Sequence, residues 1–155
     1  MKQKVIQGSL SGKGLKIGVV TSRFNSEITD KLEEGALFAL KKAGILEKNL
    51  SVVKVPGAVE IPLAVRNLFK KRKVDGVIAL GAVIRGETSH YDFVCNSVER
   101  GCSNVALEFN KPVGFGVLTT ENEEQALDRV GGRHGHKGEE AAQVVIEMCN
   151  LLKLL

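Results

Sequence analysis

The amino-acid sequence predicts an α/β protein, a three-layer α/β/α sandwich built on a central, mainly parallel four-stranded sheet. Three observations predict this fold class: four apolar runs have the length of buried strands, helical patterns separate them, and 155 residues can enclose one core without disulfide bonds. Because strand and helix alternate, we expect parallel strands joined by right-handed crossovers. One domain is therefore expected over residues 1–155, with residues 1–14 as an extended N-terminal segment.

The first half of the chain supplies two strands and two helices. The predicted strands of the whole chain cover residues 15–21, 51–55, 74–81 and 113–119. In the first helix, residues 26–43, Leu32, Ala36 and Leu40 share one face, and Gly44 can end the helix. The basic run at residues 70–73 falls where the next helix should end. We interpret it as structural, because cations at the end of a helix complement the helix dipole.

The second half of the chain supplies the remaining helices. Thr88 or Ser89 can cap the helix that follows the third strand. Thr120 and Glu123 have the spacing of a capping box, which predicts a helix over residues 120–130. A last helix is predicted over residues 138–152, and a basic, glycine-rich turn at residues 131–138 connects the two.

Composition and charge restrict the classes of function. Lys and Arg total 22 against 18 Asp and Glu, and the net charge of +4 favours anionic partners. Nucleic acid is not favoured, because one Tyr and no Trp provide no platform for stacking bases. No apolar run approaches the roughly 18 residues of a membrane span, and Cys95 and Cys102 lie too far apart on one helix to form a disulfide. We therefore expect a cytoplasmic protein with reduced thiols.

Unusual segments follow the first three predicted strands, and a fourth covers the last strand, so that all but the start of the fourth fall at one edge of the sheet. Their sequences are SRFN at residues 22–25, PGAVEIP at 56–62, GAVIRGETSHYDF at 81–93 and GFGVLTT at 114–120. In open parallel sheets, ligands bind beyond the carboxyl ends of the strands. A common pocket at this edge is therefore expected.

The segment from Gly81 to His90 is the strongest candidate for chemistry. Gly86 lets backbone amides approach a ligand, and Glu87 and Thr88 supply amides at a helix start, which suits a phosphate. An ordinary capped helix explains the same residues equally well. His90 favours a site, because an imidazole can both accept and donate protons near neutral pH.

Two features resemble sites but are interpreted as structural. Residues 8–14, GSLSGKG, are one residue too short for a phosphate-binding Walker loop and precede a strand, so they predict a turn. His134 and His136 lack further ligands at metal spacing, so we expect no metal.

Three features keep two interpretations each. Arg129 can bind an anion or complement the dipole of the helix that it ends. Residues 131–138 can form an anion site or a tight helix connection. Phe24 and Phe115 can pack in the core or stack on a planar heterocycle.

These strings together resemble the lumazine synthase family. The resemblance covers nearly the whole chain in order, and the two longest strings, PGAVEIP and GAVIRGETSHYDF, are its most specific parts. Further matches are RFN at residues 23–25, GFGVLTT, EQAxxR ending at Arg129, and the HKG turn.

The resemblance implies a flavodoxin-like fold and one reaction. Lumazine synthases condense 5-amino-6-(D-ribitylamino)uracil with 3,4-dihydroxy-2-butanone 4-phosphate to 6,7-dimethyl-8-ribityllumazine in riboflavin biosynthesis, without a cofactor or metal. By position, His90 transfers protons, and Glu87, Thr88 and Arg129 bind the phosphate. The residues implied for the pyrimidine and its ribityl chain are Phe24, Ala58, Val59, Glu60, Ala82, Val83, Ile84 and Phe115, with Asn25 and Lys137 as further candidates.

The resemblance also implies an assembly. The family forms pentamers, in which Phe115 is expected to reach a neighbouring subunit's pocket, and the short connection at residues 131–138 favours a closed icosahedral shell. His136 departs from the Asn of many relatives, which puts a contact from Lys137 in doubt. Three alternatives remain: a carrier that holds a lumazine or flavin without turnover, a purely structural shell protein, and a riboflavin synthase of the archaeal type. A phosphate site argues against the last, since its substrate has no phosphate.

Overall fold

A four-stranded parallel sheet forms the centre of the protein. The structure, a computed structural model, describes all 155 residues. The strands are β1 (Ile17–Ser22), β2 (Leu50–Val55), β3 (Gly76–Ile84) and β4 (Val113–Thr120), in the order β2-β1-β3-β4. All pairs are parallel. The predicted α/β/α fold class and all four predicted strands are confirmed.

Helices cover both faces of the sheet. They are α1 (Ser26–Lys42), α2 (Ile61–Asn67), α3 (His90–Phe109), α4 (Glu123–Leu127) and α5 (Lys137–Leu154). Short 3-10 turns precede β2 and α2, at Glu47–Asn49 and Ala58–Glu60, and a π-helical turn, Leu68–Arg72, continues α2. None of these helices combines the length and the apolar character that crossing a membrane requires.

Alternation along the strands builds two apolar cores. On β1, Ile17 and Val19 face α1 and α5, whereas Val20 faces α2 and α3, and all three are fully buried. This period of two is what a sheet covered on both faces requires. The same packing determines to which of the two cores each residue of β3 directs its side chain.

The predicted capping box at Thr120 and Glu123 is wrong. Thr120 ends β4, and its hydroxyl donates to the carbonyl oxygen of Asn122 at 2.9 Å. The Asn122 side chain instead accepts a hydrogen bond from the amide of Gln125 at 2.9 Å and caps α4. Asparagine is as good a cap as threonine, and the backbone of Thr120 is already committed to the sheet.

The glycine-rich connection is a hairpin rather than a plain turn between helices. The helix ends at Leu127, not at residue 130, and two short antiparallel strands follow, β5 (Val130–Gly132) and β6 (Gly135–His136). Gly131 and Gly135 have φ of 104° and 75°, values that favour glycine and let the chain reverse direction.

Helices α1 and α5 meet at glycines. A Cβ atom on Gly138 would lie 2.1 Å from the carbonyl oxygen of Leu32, and one on Gly35 would lie 2.0 Å from the ring of His136. Further along α5, Asn150 donates hydrogen bonds of 2.8 Å to the carbonyl oxygens of Ser9 and Ser11. These bonds hold the N-terminal segment, whose first 12 residues form no helix or strand, against α5.

Candidate active site

Hydrogen bonds beyond the strand ends bring the first two edge segments together. The amide of Arg23 donates to the carbonyl of Val55 at 2.8 Å, and the amide of Phe24 donates to the carbonyl of Pro56 at 3.1 Å. The parallel pairing of β1 and β2 thus continues past both strands. Phe24 is 70% exposed, so its ring is available to a ligand rather than committed to the core.

A cleft of about 680 Å³ opens at this edge, and we call it the first cleft. Its volume lies within the range of small-molecule sites. Residues from the ends of β1, β2 and β3 and from the first turns of α3 surround it. They are Phe24, Pro56, Gly57, Ala58, Val59, Glu60, Ala82, Val83, Ile84, Gly86, Thr88, His90, Tyr91 and Val94. Most of the predicted site residues therefore share one cleft.

Strand β3 forms one wall of the first cleft. It runs to Ile84, because Ala82 to Ile84 pair with residues 118–120 of β4. The segment from Gly81 to His90 is therefore partly strand, and its loop is shorter than predicted. Asn25 does not line this cleft. It adopts a left-handed conformation with φ of 61°, and its side-chain amide donates to the carbonyl of Ala82 at 2.9 Å, which fastens the start of α1 to β3.

The loop between β3 and α3 contributes Gly86 and Thr88 to the lining of the cleft. Thr88 Oγ1 accepts a hydrogen bond from the amide of His90 at 3.3 Å, whereas Ser89 makes no side-chain cap. No atom would meet a Cβ on Gly86, so the backbone there is open to a ligand. Glu87 is exposed and its side chain does not line the cleft, so only its amide is a candidate contact.

His90, the first residue of α3, lines the first cleft and is exposed. Asp92 is not its partner, since that carboxylate lies 3.5 Å from Arg85. The imidazole is therefore accessible to a ligand in the cleft.

Phe115, Arg129 and Lys137 lie in a separate second cleft of about 380 Å³ along β4. Arg129 Nη1 donates to the carbonyl of Gln125 at 2.7 Å, so the predicted helix-end interaction exists. The carbonyl of Arg129 accepts from the amide of Lys137 at 2.8 Å, which holds the two residues next to each other. The structure thus divides the predicted residues between two clefts of one chain.

The two other histidines have different surroundings. His134 lines the second cleft, whereas the ring of His136 packs against Gly35 of α1. His136 Nδ1 accepts from the amide of Glu139 at 3.4 Å and caps α5. No group of three or more His, Cys, Asp or Glu side chains lies close enough to hold a metal ion.

Sequence reasoning missed Tyr91 and Arg85. Tyr91 lines the first cleft, and burial raises the pKa of its phenol. The Arg85 guanidinium lies 4.3 Å from the centre of the Tyr91 ring. The position of Tyr91 beside His90, in the first turn of a helix at the edge, is the signal that could have identified it.

These features define a flavodoxin-like α/β enzyme with an apolar cleft at the carboxyl edge of its sheet, a loop before a helix start and an exposed histidine. Residues 14–153 match the family described as 6,7-dimethyl-8-ribityllumazine synthase. A curated 6,7-dimethyl-8-ribityllumazine synthase from Bdellovibrio bacteriovorus is 61% identical over 137 residues, which are 88% of this chain and 75% of that relative. The chain therefore belongs to this family, and the resemblance read from its motifs is confirmed.

Proposed function

We propose that this chain condenses 5-amino-6-(D-ribitylamino)uracil with 3,4-dihydroxy-2-butanone 4-phosphate in the first cleft, giving 6,7-dimethyl-8-ribityllumazine, phosphate and water. Membership of the family supports this reaction of riboflavin biosynthesis and does not favour a carrier without turnover. One observation supports the location most directly. An exposed aromatic ring, the carboxyl end of β3, the loop before α3 and a histidine surround the same cleft of about 680 Å³.

The pyrimidine belongs at the apolar end of the first cleft. The exposed ring of Phe24 offers a face for stacking on the uracil. The 3-10 turn Ala58–Glu60 and the end of β3 at Ala82 to Ile84 line the same space, so their polar groups can bind the ring edges and the ribityl chain. Carbonyl and amide groups at the end of an open sheet are well suited to this role.

The phosphate belongs at the loop before α3. The amides of Glu87 and Thr88 lie at the positive end of a 20-residue helix, an arrangement that favours an anion. Arg129 would add a full positive charge, but it lines the second cleft of the same chain. We therefore propose that a neighbouring subunit supplies Arg129, together with Phe115 and Lys137.

A pentamer, and a shell built from pentamers, would bring the first cleft of one chain to the second cleft of the next. Large exposed apolar side chains on α2 and α3 support such contacts: Leu63 is 67%, Phe93 is 72% and Leu107 is 83% exposed.

A location in the cytoplasm is part of the same proposal. The three cysteines support it, because all are free.

His90 would move the protons that the reaction requires. The 5-amino nitrogen attacks the ketone and water leaves to give an imine, phosphate is then eliminated, and the ribitylamino nitrogen closes the ring with loss of a second water. Each step transfers a proton, and positioned acid–base catalysis commonly contributes ~10²–10⁴. The imidazole is exposed, so water can replace it in part. We expect His90→Ala to lower kcat roughly 10- to 100-fold and to leave pyrimidine binding intact.

The direct test mixes both substrates and follows lumazine absorbance together with phosphate release. Formation of both products in equal amounts is expected, and absence of either would contradict the proposal.

Arg129→Ala should raise the KM of the phosphate substrate alone. An unaltered KM would leave Arg129 only its bond to the Gln125 carbonyl.

A further inference from the structure

Arg85 joins three elements at the rim of the first cleft. It is the residue after β3, and its amide donates to the carbonyl of Thr120 at 2.9 Å. Its Nε donates to Glu121 Oε2 at 2.7 Å, and its Nη1 lies 3.5 Å from Asp92 Oδ1. The guanidinium also covers the ring of Tyr91 at 4.3 Å. Backbone and side chain thus fasten the start of the loop to the end of β4 and to α3.

The charge of Arg85 is already compensated. One guanidinium faces two carboxylates, Glu121 and Asp92, and the face of an aromatic ring. The hydrogen bond to Glu121 is the main cause that raises the pKa of the guanidinium above its usual value. An arginine surrounded in this way adds no net positive charge to the loop that follows. It is therefore poorly suited to be the counterion of a phosphate.

We propose that Arg85 is a positioning residue of the first cleft: it fixes the loop of residues 86–89 and the ring of Tyr91 by its contacts to Glu121 and Asp92. This inference rests on the proposed binding of phosphate at that loop. A guanidinium can hold a carboxylate and a ring in fixed directions at once, which an ammonium cannot do. The phosphate therefore depends on Arg85 through the geometry of the amides.

The same contacts connect the two clefts. Tyr91 lines the first cleft, and Thr120, which precedes Glu121, lines the second. The guanidinium of Arg85 covers Tyr91, and its backbone amide bonds to Thr120, so Arg85 contacts one lining residue of each cleft. Loss of its side chain should therefore disturb the phosphate end of the site more than the pyrimidine end.

The experiment compares Arg85→Met, Arg85→Lys, Glu121→Gln and the double variant Arg85→Met/Glu121→Gln. Arg66→Met is the matched control, because Arg66 also pairs with an exposed carboxylate, Glu108, and lies 5.4 Å from a ring, that of Phe109, away from both clefts. Steady-state kinetics give kcat and both KM values. Calorimetric titration with inorganic phosphate gives a Kd that needs no turnover, so it tests Arg85 even if the condensation itself is not observed.

Positioning predicts a specific pattern. Arg85→Met should raise the KM of the phosphate substrate and the Kd of inorganic phosphate roughly tenfold, with kcat, the pyrimidine KM and Tm close to those of Arg66→Met. Glu121→Gln should raise the same two constants roughly threefold. The double variant should be no worse than Arg85→Met, because Glu121 acts through Arg85. Arg85→Lys should also show a raised KM for the phosphate substrate and a raised Kd for inorganic phosphate. Lysine keeps the positive charge but cannot hold the carboxylate and the ring in fixed directions.

Three outcomes would overturn the proposal. Recovery of phosphate affinity in Arg85→Lys, or tighter phosphate binding in Glu121→Gln, would make Arg85 a direct counterion. Unchanged constants in Arg85→Met would remove it from the site. A parallel loss of kcat, both KM values and Tm would reduce Arg85 to general structural support.

Discussion

Replacing Gly138 by alanine tests the packing that holds the second cleft. Gly138 is the second residue of α5, where the helix meets α1. An added Cβ would lie 2.1 Å from the carbonyl oxygen of Leu32 and 2.9 Å from its carbonyl carbon, whereas ordinary contact begins at 3.4 Å. The obstructing atoms belong to the backbone of a helix, so no side-chain rotation can relieve the overlap. The two helices would have to separate by more than 1 Å.

The expected cost follows from this overlap. Overpacking a close-packed core costs about 1–3 kcal/mol, and a backbone obstacle places Gly138→Ala in the upper part of that range. The higher helix propensity of alanine recovers up to about 1 kcal/mol. A net loss of about 2 kcal/mol should lower Tm by about 4–8 °C in a domain of this size.

Calorimetric melting at one protein concentration provides the measurement. The matched control is Gly86→Ala, because a Cβ at Gly86 would meet nothing within 4 Å and its Tm should stay near that of the unmodified protein. Since the amide of Lys137 bonds to Arg129, displacement of α5 should also weaken phosphate binding. Equal melting temperatures for the two alanine variants would refute the packing argument.

Three further outcomes are expected. Asn25→Ala should lower the free energy of unfolding by about 1–2 kcal/mol, since it removes the hydrogen bond to the Ala82 carbonyl and strains a left-handed residue. Asn25→Gly should recover the part of this loss that comes from backbone strain. Equal unfolding free energies for the two variants would contradict this. Asn150→Ala should speed proteolysis within residues 1–11, because it frees the N-terminal segment; an unaltered digestion rate would show that the bonds do not hold it. Burial raises the pKa of Cys102 and of Cys149 from 9.0 to about 12. The free energy of unfolding should therefore fall as pH rises from 9 toward 12, because in this range only the unfolded chain loses these protons. Rapid labelling of both thiols in the native protein at pH 8 would contradict this burial.

The fold was predictable because its determinants are local and repetitive. Four apolar runs of strand length, separated by helical patterns, leave few arrangements other than a covered parallel sheet. Gly44 was predicted to end α1, and it has φ of 96° just beyond that helix. Side-chain capping was less predictable. Thr120 and Asn122 both offer an acceptor near the same helix start, and the pairing of Thr120 with β3, a contact distant in sequence, decides between them.

The first cleft was predictable for a similar reason. Parallel strands place all their carboxyl ends at one edge, so the segments that hold Phe24, Glu60 and His90 could be assigned to one pocket because each follows a strand. The rule does not cover Phe115, which lies near the start of β4, or Arg129, which follows α4, and both line the second cleft. Arg85 was missed because its role depends on Glu121, which is 36 residues away in the chain.

The position of β4 in the sheet has a consequence for the local opening of the structure. Strand β3 lies between β1 and β4, so its amides are enclosed on both sides, whereas β4 has a neighbour on one side only. Local opening is therefore expected to cost less at β4 than at β3. One wall of the first cleft is thus formed by a central strand, whereas the second cleft lies along one of the two edge strands. In hydrogen exchange, the amides of β4 should therefore exchange faster than those of β3.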